Sequence, residues 1–444
     1  MPAFALPGAP PDLLALHAAQ PQRYPFLLQS LGGSGRWDIL FSFPLQHIPY
    51  FSDAENEAFL TRLDRLWHMA AAHASVEHDL PSLPFRGGWF LYCAYELLRE
   101  FEPSVDPRHD EAQPLAWLTR IPAAVIIDRE QGLSWFFAEQ GHESCFPALQ
   151  QDLSSLSEFQ TNLRVDDLQE EDAEQFLQGV RRIKHYIQEG DVFQVNLARL
   201  WQANLSSGNA ASLYARLREK NPAPFAGLAD FGDWQIISSS PERLVRHRSG
   251  MLETRPIAGT HPRAALPEDD AQVKLALVSS AKERAEHIML VDLERNDLGR
   301  ICQPGSVSVE ELMAVNSYAH VHHIESSIKG QLREGVTPGQ IIRALFPGGT
   351  ITGCPKVRTM QIIAELETSP RLAYTGSMGY LNHDGSLDLN ILIRTFMLQG
   401  ERLTFKAGAG IVADSEPERE LAETRAKAKG LLRSLGLEGG LEDS

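Results

Sequence analysis

Apolar positions along this 444-residue chain recur with two periods, and the periods alternate from segment to segment. Alternation of apolar and polar residues predicts strands in "RWDILFSFPL", "DVFQVNLARLWQANL", "TGSMGYLN", "LDLNILIRTFMLQ" and "RLTFKAGAGIVA". "PLAWLTRIPAAVIIDREQGLSWFFAEQ" predicts two strands joined at "DREQG", and "WQIISSSPERLVRHRSGMLETRPIAGT" predicts strands around "SSSPE". Helical spacing appears in "NEAFLTRLDRLWHMAAAH", in "AEQFLQGVRRIKHYIQEG", and as one long pattern in "DDAQVKLALVSSAKERAEHIMLVDLERNDLGR". "PFRGGWFLYCAYELLREFEP" reads as a Gly pair leading into an aromatic-rich helix. "TPGQIIRALFPGGTITGCPKVRTMQIIAELE" reads as helix, Gly loop, helix, and a last helix begins near Ser415. The Pro- and Ala-rich start is expected to be loose. A polar stretch over 145–170 is the expected boundary between an N-terminal region, 1–160, and a second region, 170–437. Strands joined as hairpins among helices imply an α+β fold with antiparallel sheets.

Composition narrows the class. With 43% hydrophobic and 22% charged residues the chain reads as an ordinary soluble globular protein. A net charge of −17 disfavours nucleic acid and anionic lipid as partners. No run approaches the ~20 apolar residues of a bilayer span. The start lacks a basic segment followed by a continuous apolar one, so a secretory signal is not expected. Cys93, Cys145, Cys302 and Cys354 form no C-x-x-C pair, which argues against a zinc site and a disulfide framework. A cytoplasmic protein is the expectation.

Chemistry concentrates in the second region. Glu283 and Glu286 stand three apart on one helical pattern, and Glu420 and Glu423 repeat that spacing near the C-terminus, one turn before Lys427. Two such pairs could bracket a hard divalent cation such as Mg²⁺. On spacing alone they read first as solvated faces, with Glu423 and Lys427 as a surface ion pair. In "KAGAG", Gly408 and Gly410 would let backbone amides approach an anion. "FPGGTITGCPK" is a Gly loop opening a helix, with Thr350 as a candidate hydroxyl, and it lacks the P-loop spacing. Arg394, amid apolar neighbours, needs a carboxylate from the protein or from a ligand. His322 and His323 are lone histidines, which are more often structural than catalytic.

"SPERL", "RPIAGT", "RAEHIMLVDLERNDLGR", "FPGGTITGCPKVR", "GSMGY", "IRT" and "AGAGIVADS" occur in an order that resembles the chorismate-binding enzymes. That family includes anthranilate synthase component I, aminodeoxychorismate synthase component I, isochorismate synthase and salicylate synthase. The resemblance is dense over 172–436. It implies an anthranilate-synthase-component-I-like fold of layered antiparallel sheets wrapped by helices. It also implies Mg²⁺ held by Glu283, Glu286, Glu420 and Glu423 against the ring carboxylate of chorismate. Glu242 matches the general acid that helps the C4 hydroxyl leave. His323 and Thr350 match residues lining the ring site. Tyr380, Arg394, Gly408, Gly410 and Lys427 match groups that hold the substrate's carboxylates, and Ala258 stands in the "PIAGT" motif beside the ring.

Water-adding members carry a lysine base in the "D-x-F-x-V" strand, where this chain has Gln194. A glutamine takes no proton, so ammonia is the expected nucleophile. A separate glutaminase subunit would supply it. "QVNLA", "FPGGTITG" and "GSMGYL" resemble the aminodeoxychorismate type, which makes 4-amino-4-deoxychorismate for 4-aminobenzoate and folate synthesis. Against that, Ala258 stands here, as in anthranilate synthases, in the place where many aminodeoxychorismate synthases carry a lysine that attacks C2. Ammonia or another nucleophile, Cys354 among the candidates, would then take that role. Gln29 replaces the glutamate of "LLES" that would bind tryptophan. Anthranilate synthase component I is the alternative, and a non-catalytic chorismate- or tryptophan-binding regulatory subunit a further one.

Overall fold

The computed structural model describes residues 3–32, 35–51, 57–71, 83–157, 159, 161–263, 266–317 and 321–437. Among these residues the strands form two antiparallel sheets, of 12 and 10 strands. The first runs in the order Ala3–Leu6, Leu133–Ala138, Ala123–Asp128, Trp37–Ser42, Phe26–Gln29, Phe225–Asp230, Trp234–Ser240, Thr395–Gln399, Arg402–Ile411, Gln194–Ser207 and Gly353–Cys354, with Arg164–Glu170 also paired to Gln194–Ser207. The second runs Ile257–Pro262, Val321–Gln331, Met251–Thr254, Arg243–Arg248, Leu387–Asn390, Ser377–Asn382, Gly88–Cys93, Ala116–Ile121 and Gln46–Tyr50, with Ser308–Ser317 paired to Val321–Gln331.

The sheets face each other across an aromatic layer. Phe26 of the first stacks on Phe90 of the second with ring centroids 4.0 Å apart. Helices cover the outer faces. Leu213, Leu217, Leu431 and Leu432 close the core over the first sheet, and Leu63, Ile341 and Ile342 close it over the second. The fold is therefore α+β, layered antiparallel sheets between helices, as the sequence resemblance implied. Both sheets mix strands from before and after 160–170, so that polar stretch does not separate them.

Several local expectations change. "GWFLYC" is a strand rather than a helix: all six residues are buried between Ser377–Asn382 and Ala116–Ile121, so no polar face exists to set a helical period. "PLAWLTRIPAAVIIDREQGLSWFFAEQ" holds three strands, because Pro122 separates Ala116–Ile121 from Ala123–Asp128. The long helical pattern is two helices, Pro267–Ser279 and Ala281–Gly299. Ser280 takes an extended conformation, φ −66° and ψ 114°, and its hydroxyl accepts from the Glu283 amide as an N-cap. The start is not loose, since Ala3–Leu6 pairs with Leu133–Ala138.

Some strands pass from one sheet to the other, and two of these crossings position the site. Trp234–Ser240 lies in the first sheet and Arg243–Arg248 in the second, with Pro241 and Glu242 between them. Leu387–Asn390 lies in the second and Thr395–Gln399 in the first, with residues 391–394 between them. The crossings are bonded together: Ile391 N–H donates to the Glu242 carbonyl at 3.0 Å, and Ser239 N–H to the Arg394 carbonyl at 3.1 Å. Arg394 thus stands at a break with φ 53°, not inside one strand.

A buried ionic cluster braces the first sheet beside this region. Arg371 donates to Glu367 at 2.6 Å, to the Asn196 carbonyl at 2.8 Å and to the Ile351 carbonyl at 3.1 Å. Glu367 also accepts from the Ala198 amide, and Lys406 Nζ lies 3.5 Å from it. Burial opposes the Glu367 carboxylate, but the charges of Arg371 and Lys406 hold its pKa below the ordinary value. Glu367→Gln leaves two buried cations short of their anion and is expected to destabilise the fold by about 3–5 kcal/mol. Denaturant unfolding of the variant against the parent measures this.

Candidate active site

Glu242 is 3% exposed at its crossing. Thr350, on the short turn Gly349–Ile351, donates its hydroxyl to Glu242 Oε1 at 2.8 Å, and the Ile257 amide also bonds the carboxyl. Burial raises its pKa to about 7; the Glu325 charge adds to this, while Thr350, Ile257 and Arg394 oppose it. A carboxyl poised there can hand over a proton near neutral pH. His323 is buried nearby, and burial with the Arg394 charge lowers its pKa to about 4, so its imidazole is neutral. A neutral ring can donate or accept a hydrogen bond without adding charge.

A second wall is formed by two helices that carry the acidic pairs. Ala281–Gly299 and Pro417–Ser434 bring Glu283, Glu286 and Glu423 within electrostatic range of one another. The Glu286 pKa is raised by burial first and then by the Glu283 charge, with Glu423 adding and Gln194 and Lys427 opposing. Gln194 Nε2 donates to Glu286 Oε1 at 3.0 Å, and Lys427 Nζ pairs with Glu423 at 2.8 Å. Glu420 is buried on the same helix. Among the described residues no three acidic, His or Cys side chains are gathered closely enough to hold a metal ion as they stand.

Between the walls runs the strand Arg402–Ile411. Its Gly408 and Gly410 pair with Ala198 and Asn196. A Cβ on Gly410 would stand 2.3 Å from Gln194 Nε2, and one on Gly408 would stand 2.7 Å from Tyr374 Oη. Both glycines therefore keep this floor thin. Lys427 Nζ donates to the Gly408 carbonyl at 3.0 Å, which joins the floor to the acidic wall.

The expected residues thus form two groups: Glu242 with Thr350, His323 and Arg394, and Glu283, Glu286 and Glu423 with Lys427, Gly408 and Gly410. Tyr380 joins neither: it packs against Phe41 and Phe85 and lines a cavity of about 460 Å³ with Arg243, Arg246 and Asp388. The alternation of Ser377–Asn382 turns it away, and Tyr374, six residues earlier, is the tyrosine beside Gly408. Two tyrosines in "YTGSMGY" made the assignment ambiguous, and only pairing resolves it. Ala258 stands opposite Ile324 in the Ile257–Pro262 strand, and its side chain lies outside the described residues. His322 points to the other face of its strand and bonds Ser317 and Asp270. Cys354 pairs with Gln194, and burial with the charges of Asp292 and Asp297 raises its thiol pKa, which weakens it as a nucleophile.

Glu294 went unremarked in sequence. It shares the Glu283 and Glu286 face of its helix and is 8% exposed, and Oε2 has no hydrogen-bond partner among the described residues. Burial raises its pKa to about 8, with the Glu242 and Asp297 charges adding and Thr254 and Lys356 opposing. Its only sequence signal was a glutamate eleven residues beyond Glu283, three helical turns along.

Residues 24–433 match the model of the chorismate binding enzyme family, and the chain belongs to that family. It is 40% identical over 376 residues to anthranilate synthase component 1 of Aquifex aeolicus, covering 81% of this chain and 76% of that one. It is 49% identical over 262 residues to aminodeoxychorismate synthase component 1 of Bacillus subtilis, covering 59% and 56%. The crystal structure of anthranilate synthase component I from Streptococcus pneumoniae superposes with a TM-score of 0.78 at 32% identity, covering 90% of this chain and 92% of that one. The protein is accordingly a chorismate-utilising enzyme, and no helix among its described residues is long and apolar enough to cross a membrane.

Glu294 ties stability to pH. Its pKa is raised on folding from 4.5 to about 8, so its stabilising contribution is complete below pH 4.5 and is lost as pH rises toward 8. Glu294→Gln cannot ionise. Its thermal midpoint is expected to fall less than that of the parent between pH 5 and 8, as read by calorimetry at matched ionic strength.

Proposed function

We propose that the chain is the chorismate-aminating component of an aminodeoxychorismate synthase, converting chorismate and ammonia into 4-amino-4-deoxychorismate and water. The observation that carries amination is Gln194. It occupies the place of the water-activating base, cannot accept a proton, and spends its amide on Glu286. The "QVNLA", "FPGGTITG" and "GSMGYL" motifs and the 49% local identity to an aminodeoxychorismate synthase favour the 4-amino product. The alternative is anthranilate synthase component I, favoured by Ala258 and by relatives of that name matched over more of their length.

In this reading Glu242 delivers its proton to the C4 hydroxyl, the C–O bond breaks and water leaves. The C–N bond forms to ammonia, and the surplus proton on the amine returns to the Glu242 carboxylate. Thr350 aims the Glu242 carboxyl, while Arg394 and the thin floor at Gly408 and Gly410 receive the substrate's carboxylates. Neutral His323 borders the ring without competing for the proton. Glu283, Glu286, Glu420 and Glu423 would hold Mg²⁺; an all-oxygen set suits this hard cation, and the crowding around Glu286 is repulsion that a cation relieves. Bound there, the ion would neutralise the ring carboxylate. A separate glutaminase subunit would supply ammonia in the cell, and the product would feed 4-aminobenzoate and folate synthesis.

The test is incubation of the purified chain with chorismate, Mg²⁺ and ammonium at mildly alkaline pH, where NH₃ is available as nucleophile. A non-fluorescent amino product without pyruvate is expected. Fluorescent anthranilate with pyruvate would replace this reading by the alternative. Glu242→Gln is expected to lower kcat by about 10²–10⁴-fold while the protein stays folded. Cys354→Ala is expected to keep kcat within about twofold, because a half-buried thiol of raised pKa acts as filler. A larger loss would return Cys354 to the role of nucleophile.

A further inference from the structure

Leu372 and Thr375 both take positive φ, 52° and 63°, although neither is glycine. Branched side chains crowd the backbone in that region, so residues 371–375 keep their shape only where their surroundings hold them. Thr375 N–H donates to the Leu392 carbonyl at 2.7 Å, and Ala373 N–H meets the Met397 sulfur at 3.4 Å. From the helical turn Tyr95–Glu100, Tyr95 N–H donates to the Leu372 carbonyl at 2.9 Å. The next residue on that turn, Glu96, clamps the segment from the same side: Oε1 accepts from the Arg371 amide at 2.7 Å and Oε2 from the Leu372 amide at 3.0 Å. Glu96 is 1% exposed, and it is the one ionisable side chain among these holders. The segment carries two residues of consequence. The Arg371 guanidinium lies over the Tyr95 ring at 4.8 Å and the Tyr374 ring at 5.5 Å. Tyr374 Oη stands 2.7 Å from where a Cβ on Gly408 would lie, at the glycine floor.

We propose that Glu96 is a positioning residue for the substrate site: by accepting the Arg371 and Leu372 amides, its carboxylate fixes the segment that sets Tyr374 beside the Gly408 floor. The inference rests on reading that floor as the seat of the substrate's carboxylates, and is indifferent to which amine is the product. Both oxygens of Glu96 are used. A protonated carboxyl, or an amide in its place, keeps one acceptor and sets an O–H or N–H against the Leu372 amide, donor against donor. The groups that face Glu96 come from four elements. Lys406, on Arg402–Ile411, favours the ionised form. Arg371 is matched by Glu367, to which it donates at 2.6 Å. Tyr92 on Gly88–Cys93 and Tyr95 on its own turn are phenols that burial keeps neutral. Burial raises the Glu96 pKa to about 7, while the two amides and Lys406 oppose the rise. The clamp is therefore complete above that pH and is lost as pH falls through it.

The test measures chorismate binding by calorimetry, with Mg²⁺ saturating and no ammonium, in the full chain carrying Glu242→Gln. That change slows turnover and removes the titration of Glu242 from the record. Between pH 8 and pH 6 the Kd is expected to rise about tenfold, in proportion to the loss of ionised Glu96. With Glu96→Gln added, the Kd is expected to be weak and flat over the same range. Tyr374→Phe is the coupling control. It is expected to weaken binding by itself and then to leave Glu96→Gln less than about a twofold further effect, because two residues that act through one contact are not additive. A role of Glu96 in folding alone would instead give additive losses, and that result overturns the proposal. Should Glu96→Gln not fold, the pH dependence with and without Tyr374→Phe still decides. A Kd that is flat from pH 8 to pH 6 with Tyr374 present, or equally steep without it, overturns the proposal. Chorismate bound with the expected pH dependence by a chain that makes no 4-amino product would overturn the function proposed above and leave the role of Glu96 standing.

Discussion

The two crossings of the chain between its sheets, bonded to each other, are the constraint on which the site depends. A strand that leaves one sheet for another must give up its ladder, and its backbone groups then need new partners. Here each crossing supplies them to the other, through Ile391 to Glu242 and Ser239 to Arg394. The result brings a carboxyl and a guanidinium within electrostatic range of each other in the region where the sheets part. Neither side chain is free to leave for solvent, because its backbone is held by the opposite crossing. That position sets the electrostatics of the pair: burial favours the neutral form of Glu242, and the Arg394 charge opposes it.

Charge is distributed among the site's carboxyls in two ways. On the acid side, carboxyls are separated from water and from most cations, and burial raises Glu242 and Glu294 to about 7 and 8. On the other side Glu283, Glu286 and Glu423 repel one another while Lys427 and Gln194 answer part of the charge. In the function proposed above, the same residue type would serve as proton donor in one place and as an oxygen donor for a cation in the other. Position in the fold decides between them, since desolvation favours the neutral form and a nearby cation the ionised one. Away from the cavity, Glu367 shows the third case: as buried as the others, it stays ionised because Arg371 and Lys406 enclose it.

The legible part of this protein lay where residue type alone determines chemistry. The E-x-x-E spacing put Glu283 with Glu286 and Glu420 with Glu423 on helix faces, since three residues is nearly one turn. The glycines of "KAGAG" announced a close approach because no other residue permits one, and Gln194 excluded a base because an amide has no proton affinity to offer. Alternating strands and capped helices were likewise local: Thr337 and Gln340 form a capping box that needs nothing beyond their own turn. What only the tertiary structure decided were the matters of pairing and burial. Whether "GWFLYC" was strand or helix depended on the two strands that flank it in space. Which tyrosine of "YTGSMGY" met Gly408 depended on pairing. That Glu294 comes within electrostatic range of Glu242 depended on how a helix distant in sequence packs. Spacing along the chain carries the angle at which a side chain leaves its element; the distance between elements, and so the loss of water that sets a carboxyl's proton affinity, exists only once they are packed.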